Sequence, residues 1–178
     1  MLYAIDYDAP VGRLWVVSDA THLRGLWMQG QKYFADRLSE SPQARELPVL
    51  VQTRAWLNAY FAGQRPSVDD LPRAPRGSAF RLQVWQLLCE IPYGETTTYG
   101  ALAQALAART GQARVSAQAV GGAVGHNPLS IIVPCHRVVG RDGSLTGYAG
   151  GLDKKIQLLD HEGVDLSAFY VPKRGAAL

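Results

Sequence analysis

Residues 80–125, FRLQVWQLLCEIPYGETTTYGALAQALAARTGQARVSAQAVGGAVG, contain three helical patterns in succession and decide how the rest of the chain is interpreted. The first pattern is amphipathic and ends at a Pro-Tyr-Gly turn. Thr97 or Thr98 can cap the second helix, which has an apolar stripe of its own. After a turn near Gly111, a third helix over residues 115–125 consists mainly of small residues. A helix, a turn and a small-residue helix predict a helix-turn-helix unit.

The residues before this stretch predict a separate, smaller unit built around a sheet. Three short apolar runs with closely spaced turns occupy the first thirty residues, which is typical of an antiparallel meander. Apolar residues at helical spacing predict a helix over residues 49–62. Residues 63–79 then hold three prolines and few large apolar side chains, as a domain boundary does. We therefore predict an α+β (α/β) chain in three parts: an N-terminal domain over residues 1–75, a mainly helical domain over residues 76–165 and a tail over residues 166–178.

Two features stand out beyond the three helical patterns. Residues 129–133 form a mostly apolar run that is predicted to be buried and that ends at Pro134. Leu152, Ile156 and Leu159 then lie at helical spacing and predict a last helix that ends near Gly163.

The composition predicts a folded protein without an overt nucleic-acid signature. Apolar residues make up 47% of the chain and charged residues 19%, which is enough for a hydrophobic core. The net charge is +3 and no segment concentrates the basic residues, so any contact with DNA must depend on geometry and a few placed groups. The two cysteines, Cys89 and Cys135, form no C-x-x-C pair. With neither a signal-peptide pattern nor an apolar run of about 20 residues, we expect a cytoplasmic protein with free thiols and no membrane contact.

The dipeptide Cys135-His136 carries the clearest chemistry in the chain. A cysteine reacts as its thiolate, and a free thiol with a pKa of about 8.5 is mostly protonated at neutral pH. An imidazole that takes the proton, directly or through water, turns such a thiol into a usable nucleophile. A buried structural cysteine beside a chance histidine is the alternative, and a two-residue motif alone does not decide between them.

The surrounding segments resemble one family. IIVPCHRVV, residues 131–139, is similar to the active-site motif of the O6-alkylguanine-DNA alkyltransferases. The similarity spans residues 80–163 in order and at the spacing of that family, through the further segments 91–99, 119–128, 147–152 and 158–163. Residues 1–75 resemble the family's N-terminal domain more loosely. The resemblance implies a small RNase-H-like sheet domain packed on a mainly helical catalytic domain with a helix-turn-helix.

The resemblance also implies an activity. An alkyl group would move from O6-alkylguanine, and from O4-alkylthymine, in double-stranded DNA to Cys135, in a single turnover that inactivates the protein. No cofactor is expected, because the lesion itself is the alkyl donor. The first half of the chain contains no cysteine before Cys89, so the zinc site of some relatives is expected to be absent. We expect the protein to act as a monomer.

Five residues match catalytic positions of the family. The resemblance makes Cys135 the acceptor, His136 the base that acts through a water, and Glu162 the group that orients His136. Asn127 matches a hinge asparagine. Tyr99 matches a tyrosine beside the rotated 3′ phosphate that donates to the leaving guanine. Each of the last three also has an ordinary interpretation: a solvated carboxylate at a helix end, an Asn-Pro turn and a core tyrosine, respectively.

A second set matches positions that contact DNA and the extruded base. A duplex hides the target atom, so the family flips the base out and inserts its second helix into the minor groove. Small residues in that helix suit close approach, although they equally suit packing against another helix. One position departs from the family, because Gln118 stands where an intercalating arginine is usual. The predicted contacts are Gln118, Ala119, Gly121 and Gly122 on the helix, and Val133, Arg137, Val138, Tyr148, Ala149 and Gly150 around the base pocket.

Two other functions are compatible with parts of this pattern. One is a DNA-binding alkyltransferase-like protein, which flags lesions without repairing them; such proteins usually have tryptophan in place of the cysteine, and Cys135 argues against this assignment. The other is a cysteine hydrolase that uses Cys135 and His136. Such enzymes assemble nucleophile and base from distant segments, and no oxyanion-hole motif is evident.

Overall fold

The computed structural model describes residues 1–36 and 38–173, which form two compact units. The first unit consists of Met1–Arg76 and, from much later in the chain, Pro128–Ile132. The second consists of Gly77–Asn127 and the chain from Val133 onward. Domains drawn as contiguous ranges of the sequence would place Pro128–Ile132 in the second domain, whereas in the structure this segment belongs to the first unit. The described residues contain a sheet and five α-helices, so the predicted α+β class is confirmed.

The first unit is built on a four-stranded sheet in the order β3-β2-β1-β4. The antiparallel meander predicted for the first thirty residues is present, with Ile5 opposite Val16 and Trp15 opposite Trp27. A parallel fourth strand of two residues has no apolar pattern that would have predicted it. The strands are β1 (Tyr3–Ala9), β2 (Gly12–Ser18), β3 (Leu23–Met28) and β4 (Gln43–Ala44).

The helix α1 (Pro48–Phe61) completes the first unit close to where apolar spacing predicted it. Pro48 occupies the first turn, where its missing N–H would have no intrahelical acceptor. Leu50 and Leu57 are fully buried, and Trp56 stacks on Tyr60 with ring centroids 5.6 Å apart. The buried face of α1 therefore explains the apolar periodicity that the sequence displays.

Three helices form the core of the second unit: α2 (Ala79–Cys89), α3 (Tyr99–Thr110) and α4 (Ala117–Gly125). Thr98 caps α3, because its side chain accepts a hydrogen bond from Ala101 N at 3.1 Å, which confirms one of the two predicted caps. Trp85 of α2 donates its indole N–H to the carbonyl of Ala123 in α4, at 2.8 Å. The small residues of α4 thus let one face of this helix approach α2.

The C-terminal part of the second unit positions the segment after α4. β5 (Thr97–Thr98) pairs in parallel with β6 (Val138–Val139), two short strands that no sequence pattern predicted. α5 (Leu152–His161) is confirmed, and its buried Leu159 packs with Val139 and Leu145. Phe169, within the predicted tail, packs against the same cluster. Residues 174–178 of that tail lie outside the described residues. None of the helices in the described part of the chain has the length and apolar character that crossing a membrane requires.

Candidate active site

Cys135 lies at the start of a tight, fully buried turn. Cys135 N donates to Val133 O at 2.8 Å across Pro134, whose φ of −82° and ψ of 64° are those of an inverse γ-turn. The chain then makes one 3₁₀ turn over Cys135–Arg137, in which all three residues are buried. The other cysteine, Cys89, is half-buried in the last turn of α2, and the two cysteines form no disulfide within the described residues.

Cys135 is only 5% exposed, and Asn127 is buried as well. Burial raises the pKa of the Cys135 thiol, while a hydrogen bond with the Asn127 side chain acts to lower this pKa. Asn127 Nδ2 also donates to Val133 O at 2.8 Å. Asn127 therefore joins the end of α4 to the turn that carries the nucleophile, which is more than an isolated Asn-Pro turn would do.

His136 and Glu162 form a pair whose side chains are both fully buried. His136 Nε2 lies 2.7 Å from Glu162 Oε1. Burial lowers the pKa of His136, so its ring is neutral at physiological pH. A carboxylate only accepts hydrogen bonds, so Nε2 carries the ring proton and Nδ1 is left with a lone pair. Among the residues that the structure describes, Nδ1 has no hydrogen-bond partner. The ring is therefore oriented as a proton acceptor through Nδ1.

Arg137, which is predicted among the DNA contacts, lies in this network. Arg137 Nε donates to Glu162 Oε2 at 2.8 Å and Nη2 donates to Glu162 Oε1 at 3.0 Å. Nη1 donates to Ile91 O at 2.6 Å. These acceptors hold the guanidinium, the Arg137 side chain is only 11% exposed, and it supports the Glu162 carboxylate.

Glu162 also accepts from the backbone of Gly94, at 3.2 Å between Gly94 N and Oε2. Burial acts to raise the pKa of Glu162, but the hydrogen bonds from His136 and Arg137 prevail and hold this pKa well below its usual range. Gly94 has a φ of +79°, and a Cβ there would lie 3.0 Å from the carbonyl oxygen of Glu162. Any other residue would be strained at this φ, and its Cβ would crowd the backbone carbonyl of Glu162, which explains the glycine.

Lys155 is a functional candidate that the sequence analysis missed. This fully buried side chain in α5 donates from Nζ to Val138 O at 2.5 Å and to Thr146 O at 3.0 Å. Burial lowers the pKa of Lys155 to about 8, although the Cys135 thiolate acts to raise it. A signal was present: position 155 falls on the buried face that Leu152 and Leu159 define, where a lysine is unusual.

Tyr99 begins α3 and reaches the same carbonyl as Lys155. Its hydroxyl donates to Thr146 O at 3.2 Å. Burial, and then the nearby charge of Cys135, raise the pKa of Tyr99. The hydroxyl therefore stays protonated at neutral pH, and its one proton is donated to Thr146 O.

The predicted DNA-contacting residues fall into an exposed and a buried group. On α4, Gln118, Ala119 and Gly122 are exposed, whereas Gly121 is buried. In the loop between β6 and α5, the predicted pocket residues Tyr148, Ala149 and Gly150 are half-buried. The other two predicted pocket residues, Val133 and Val138, are buried and lie close to Cys135 in the sequence. Within residues 1–36 and 38–173, no three His, Cys, Asp or Glu side chains are grouped as a metal site requires.

Two family descriptions match the chain. Residues 1–75 match the ribonuclease-like domain of 6-O-methylguanine DNA methyltransferase, and residues 79–164 match the DNA binding domain of the same family. The methylated-DNA–protein-cysteine methyltransferase of Haemophilus influenzae is 41% identical over 161 residues, which cover 90% of this chain and 86% of that protein. The protein of the same name from Mycobacterium tuberculosis is 42% identical over 165 residues, covering 91% and 93% respectively.

Solved structures agree with these sequence matches. The O6-methylguanine methyltransferase of Mycobacterium tuberculosis superposes with a TM-score of 0.77 at 38% identity, covering 98% of this chain and 97% of that one. The Mycobacterium tuberculosis OGT protein in complex with DNA gives a TM-score of 0.78 at 39% identity, with 94% of each chain covered. These matches confirm the resemblance found in the motifs. The chain belongs to the 6-O-methylguanine DNA methyltransferase family.

Proposed function

We propose that this protein repairs DNA by moving the alkyl group of O6-alkylguanine, and of O4-alkylthymine, to Cys135 in a single irreversible turnover. The observation that carries the proposal is the orientation of His136: its Nε2 is bound to Glu162, and its Nδ1 lone pair is left for a proton. The name of the relatives, methylated-DNA–protein-cysteine methyltransferase, describes the same acceptor chemistry.

The first step removes the proton of the thiol. Because burial raises the pKa of Cys135, the thiol needs a base to become a nucleophile at neutral pH. In the proposed step, His136 Nδ1 takes the proton through a bridging water. The imidazolium that forms is stabilised by the Glu162 carboxylate, which Arg137 and Gly94 N keep ionised. The ammonium of Lys155 favours the thiolate over the thiol.

The second step transfers the alkyl group. The Cys135 thiolate attacks the alkyl carbon, so a carbon–sulfur bond forms while the bond from carbon to the guanine O6 breaks. Guanine leaves with the electron pair of that bond. Tyr99, which its raised pKa keeps protonated, turns its hydroxyl from Thr146 O to the leaving base and donates a hydrogen bond to it. The proton that His136 took from the thiol returns through water to guanine, so charge and protons balance and the step consumes no cofactor.

DNA reaches the thiol through the helical part of the second unit. In the proposed complex, α3 and α4 act as a helix-turn-helix and α4 enters the minor groove of a duplex bound by one protein molecule. The exposed Ala119 and Gly122 support close approach of the helix backbone to DNA. Gln118 fills the space of the flipped base, and the base enters a pocket beside Cys135 that Tyr148 walls.

A duplex carrying one O6-methylguanine tests this proposal. After incubation with the protein, the DNA is digested to nucleosides and the restored guanine is quantified. The wild-type protein should convert the lesion to guanine, whereas Cys135→Ser should bind the duplex and leave the lesion intact. Restoration by Cys135→Ser, or none by the wild-type protein, would contradict the proposed function.

A further inference from the structure

The catalytic segment takes an unusual path through the fold. The chain leaves the second unit after Asn127, contributes Pro128–Ile132 to the first unit and returns at Val133, two residues before Cys135. Both ends of this excursion are active-site residues, since Asn127 binds Val133 O and the thiol of Cys135. The conformation of Pro128–Ile132 therefore sets the distance between the hinge and the nucleophile.

β3 of the first unit fixes the beginning of this excursion. Leu26 N donates to Pro128 O at 2.7 Å, and Ser130 N donates to Leu26 O at 3.0 Å. Leu129 is thereby held beside Leu26 as a short parallel bridge. The pairing joins residues about a hundred positions apart, so nothing in the local sequence predicts it.

A buried glutamine completes the anchor. Gln31 Oε1 accepts from Ser130 Oγ at 2.9 Å and from Met28 N at 3.0 Å. Gln31 is 6% exposed and Ser130 is 2% exposed, so these bonds form away from water. A buried donor that loses such an acceptor is left without a hydrogen bond at a place water does not reach, so the anchor is strongly maintained.

The residue after this anchor is strained. Ile131 has a φ of +72° and is 1% exposed. Ile132 N donates to Ser130 O at 2.9 Å, which closes a three-residue γ-turn around Ile131. A β-branched residue is strained in this conformation, which persists only where its surroundings enforce it. The anchor at Ser130 and the hydrogen bond from Asn127 to Val133 O supply that enforcement on the two sides of the turn.

We propose that Gln31 is a positioning residue for Cys135: through Ser130 it enforces the turn at Ile131 and thereby the placement of Val133 and the thiol. The assignment rests on the proposed function only for its effect on alkyl transfer, because the placement of the thiol is measurable without DNA. Loss of the acceptor oxygen allows the Ile131 turn to relax. Cys135 then moves away from Asn127 and His136, so transfer slows while the DNA-contacting surface of α4 is unchanged.

The variants Gln31→Met and Ser130→Ala remove the acceptor and the donor of one hydrogen bond, and the double variant removes both. The matched control is Thr53→Val, which deletes a different buried bond of the first unit, from Thr53 Oγ1 to Val49 O at 2.8 Å. All variants carry Cys89→Ala, so that Cys135 is the single thiol. Thermal unfolding first establishes that each variant is folded, and Ser130→Ala, the smaller change, serves if Gln31→Met does not fold.

Two readouts separate positioning from general destabilisation. Single-turnover kinetics give the maximal transfer rate and the DNA concentration at half that rate, and iodoacetamide gives the pH profile of the thiol without DNA. Gln31→Met should lower the maximal rate on the order of tenfold, as small misplacements of reacting groups do, with the half-saturating concentration unchanged. Its thiol profile should move to higher pH. The double variant should be no slower than the slower single variant, and Thr53→Val should match the wild type in both readouts.

The outcomes distinguish this inference from the proposed function. A wild-type protein that reacts with iodoacetamide but never takes a methyl group from DNA would refute the proposed function, while a shifted thiol profile in Gln31→Met would still support the positioning role. Folded Gln31→Met and Ser130→Ala variants with the wild-type rate and thiol profile would overturn the inference. A Thr53→Val variant that is as slow as Gln31→Met would also overturn it, since the effect would then be general.

Discussion

The Glu162 carboxylate accepts hydrogen bonds from His136 Nε2, from Gly94 N and from Nε and Nη2 of Arg137. Of these hydrogen bonds, the sequence predicted only the one to His136, because the family resemblance gives Glu162 the role of orienting that histidine. The role of Arg137 could not be predicted, since an arginine after a catalytic histidine reads equally well as a DNA contact. The pairing of Arg137 with a carboxylate 25 residues away becomes visible only in three dimensions.

Glu162→Gln should therefore weaken both folding and transfer. The substitution leaves the buried Arg137 without its counter-charge, so the free energy of unfolding at neutral pH should fall by about 3 kcal/mol. Because the folded-state pKa of Glu162 is lowered, its contribution to stability is present above its unfolded pKa of about 4.3 and disappears as pH falls through the folded pKa. Urea unfolding should thus give a constant difference from the wild type between pH 6 and 8, and a difference that shrinks below about pH 4.

Arg137→Met separates the two roles of Glu162. This variant loses the ion pair with Glu162 but keeps the bond between Glu162 and His136. It should be destabilised to a similar degree, yet its single-turnover transfer should be slowed less than that of Glu162→Gln. Equal slowing of the two variants would mean that the pairing with His136 is not what Glu162 contributes to transfer.

The next prediction concerns the buried ammonium of Lys155. Lys155→Met removes a buried cation near Cys135 while keeping most of the side-chain volume, so the thiolate becomes less favoured. The rate of Cys135 alkylation by iodoacetamide at pH 7 should fall on the order of tenfold, with the pH profile displaced upward. The control is Lys154→Met, the same change at the half-buried neighbouring position. Equal reactivity of the two variants would contradict an electrostatic role for Lys155.

Among the elements, those with local signals were predicted and those made by distant pairing were not. α3 has Thr98 as its cap and Gly111, with a φ of 67°, at its C-terminal end, so its limits are visible in the sequence. The short pair β5 and β6 depends on residues 41 positions apart, Thr97 and Val138, and has too few residues for a periodic pattern. The sequence does not predict that Pro128–Ile132 belongs to the first unit, again because the pairing is between residues far apart in the chain.

The prediction for α4 concerns Gln118, which is exposed in its first turn. If its side chain fills the space of the flipped base, Gln118→Arg should strengthen duplex binding and steepen its salt dependence, because one more cation displaces counterions. Gln118→Ala should slow repair of the duplex more than reaction with the free O6-alkylguanine base, which needs no flipping. The measurement is the ratio of the duplex rate to the free-base rate.

An identical ratio in the wild type, Gln118→Arg and Gln118→Ala would mean that Gln118 does not support flipping. Arg114, exposed shortly before α4, is then the next residue to substitute. The control is built into the ratio, because a general loss of activity lowers both rates together.

At the scale of the whole molecule, the site is assembled from parts of the chain that lie far apart. The turn after α2 supplies Ile91 and Gly94, α3 supplies Tyr99, and α5 with the residue after it supplies Lys155 and Glu162. The net charge of +3 leaves DNA binding to geometry more than to bulk electrostatics. In the proposed function, alkylation of Cys135 would end the activity of the molecule, because a thioether carbon–sulfur bond is not hydrolysed under physiological conditions.

The location and number of transferred methyl groups test this account most directly. The protein is incubated with a large excess of duplex DNA that carries O6-methylguanine, and its intact mass and peptide map are measured by mass spectrometry. The account predicts one methyl group per molecule, located on Cys135, with the half-buried Cys89 unmodified. Release of more than one guanine per protein molecule, or a methyl group on Cys89 instead of Cys135, would contradict it.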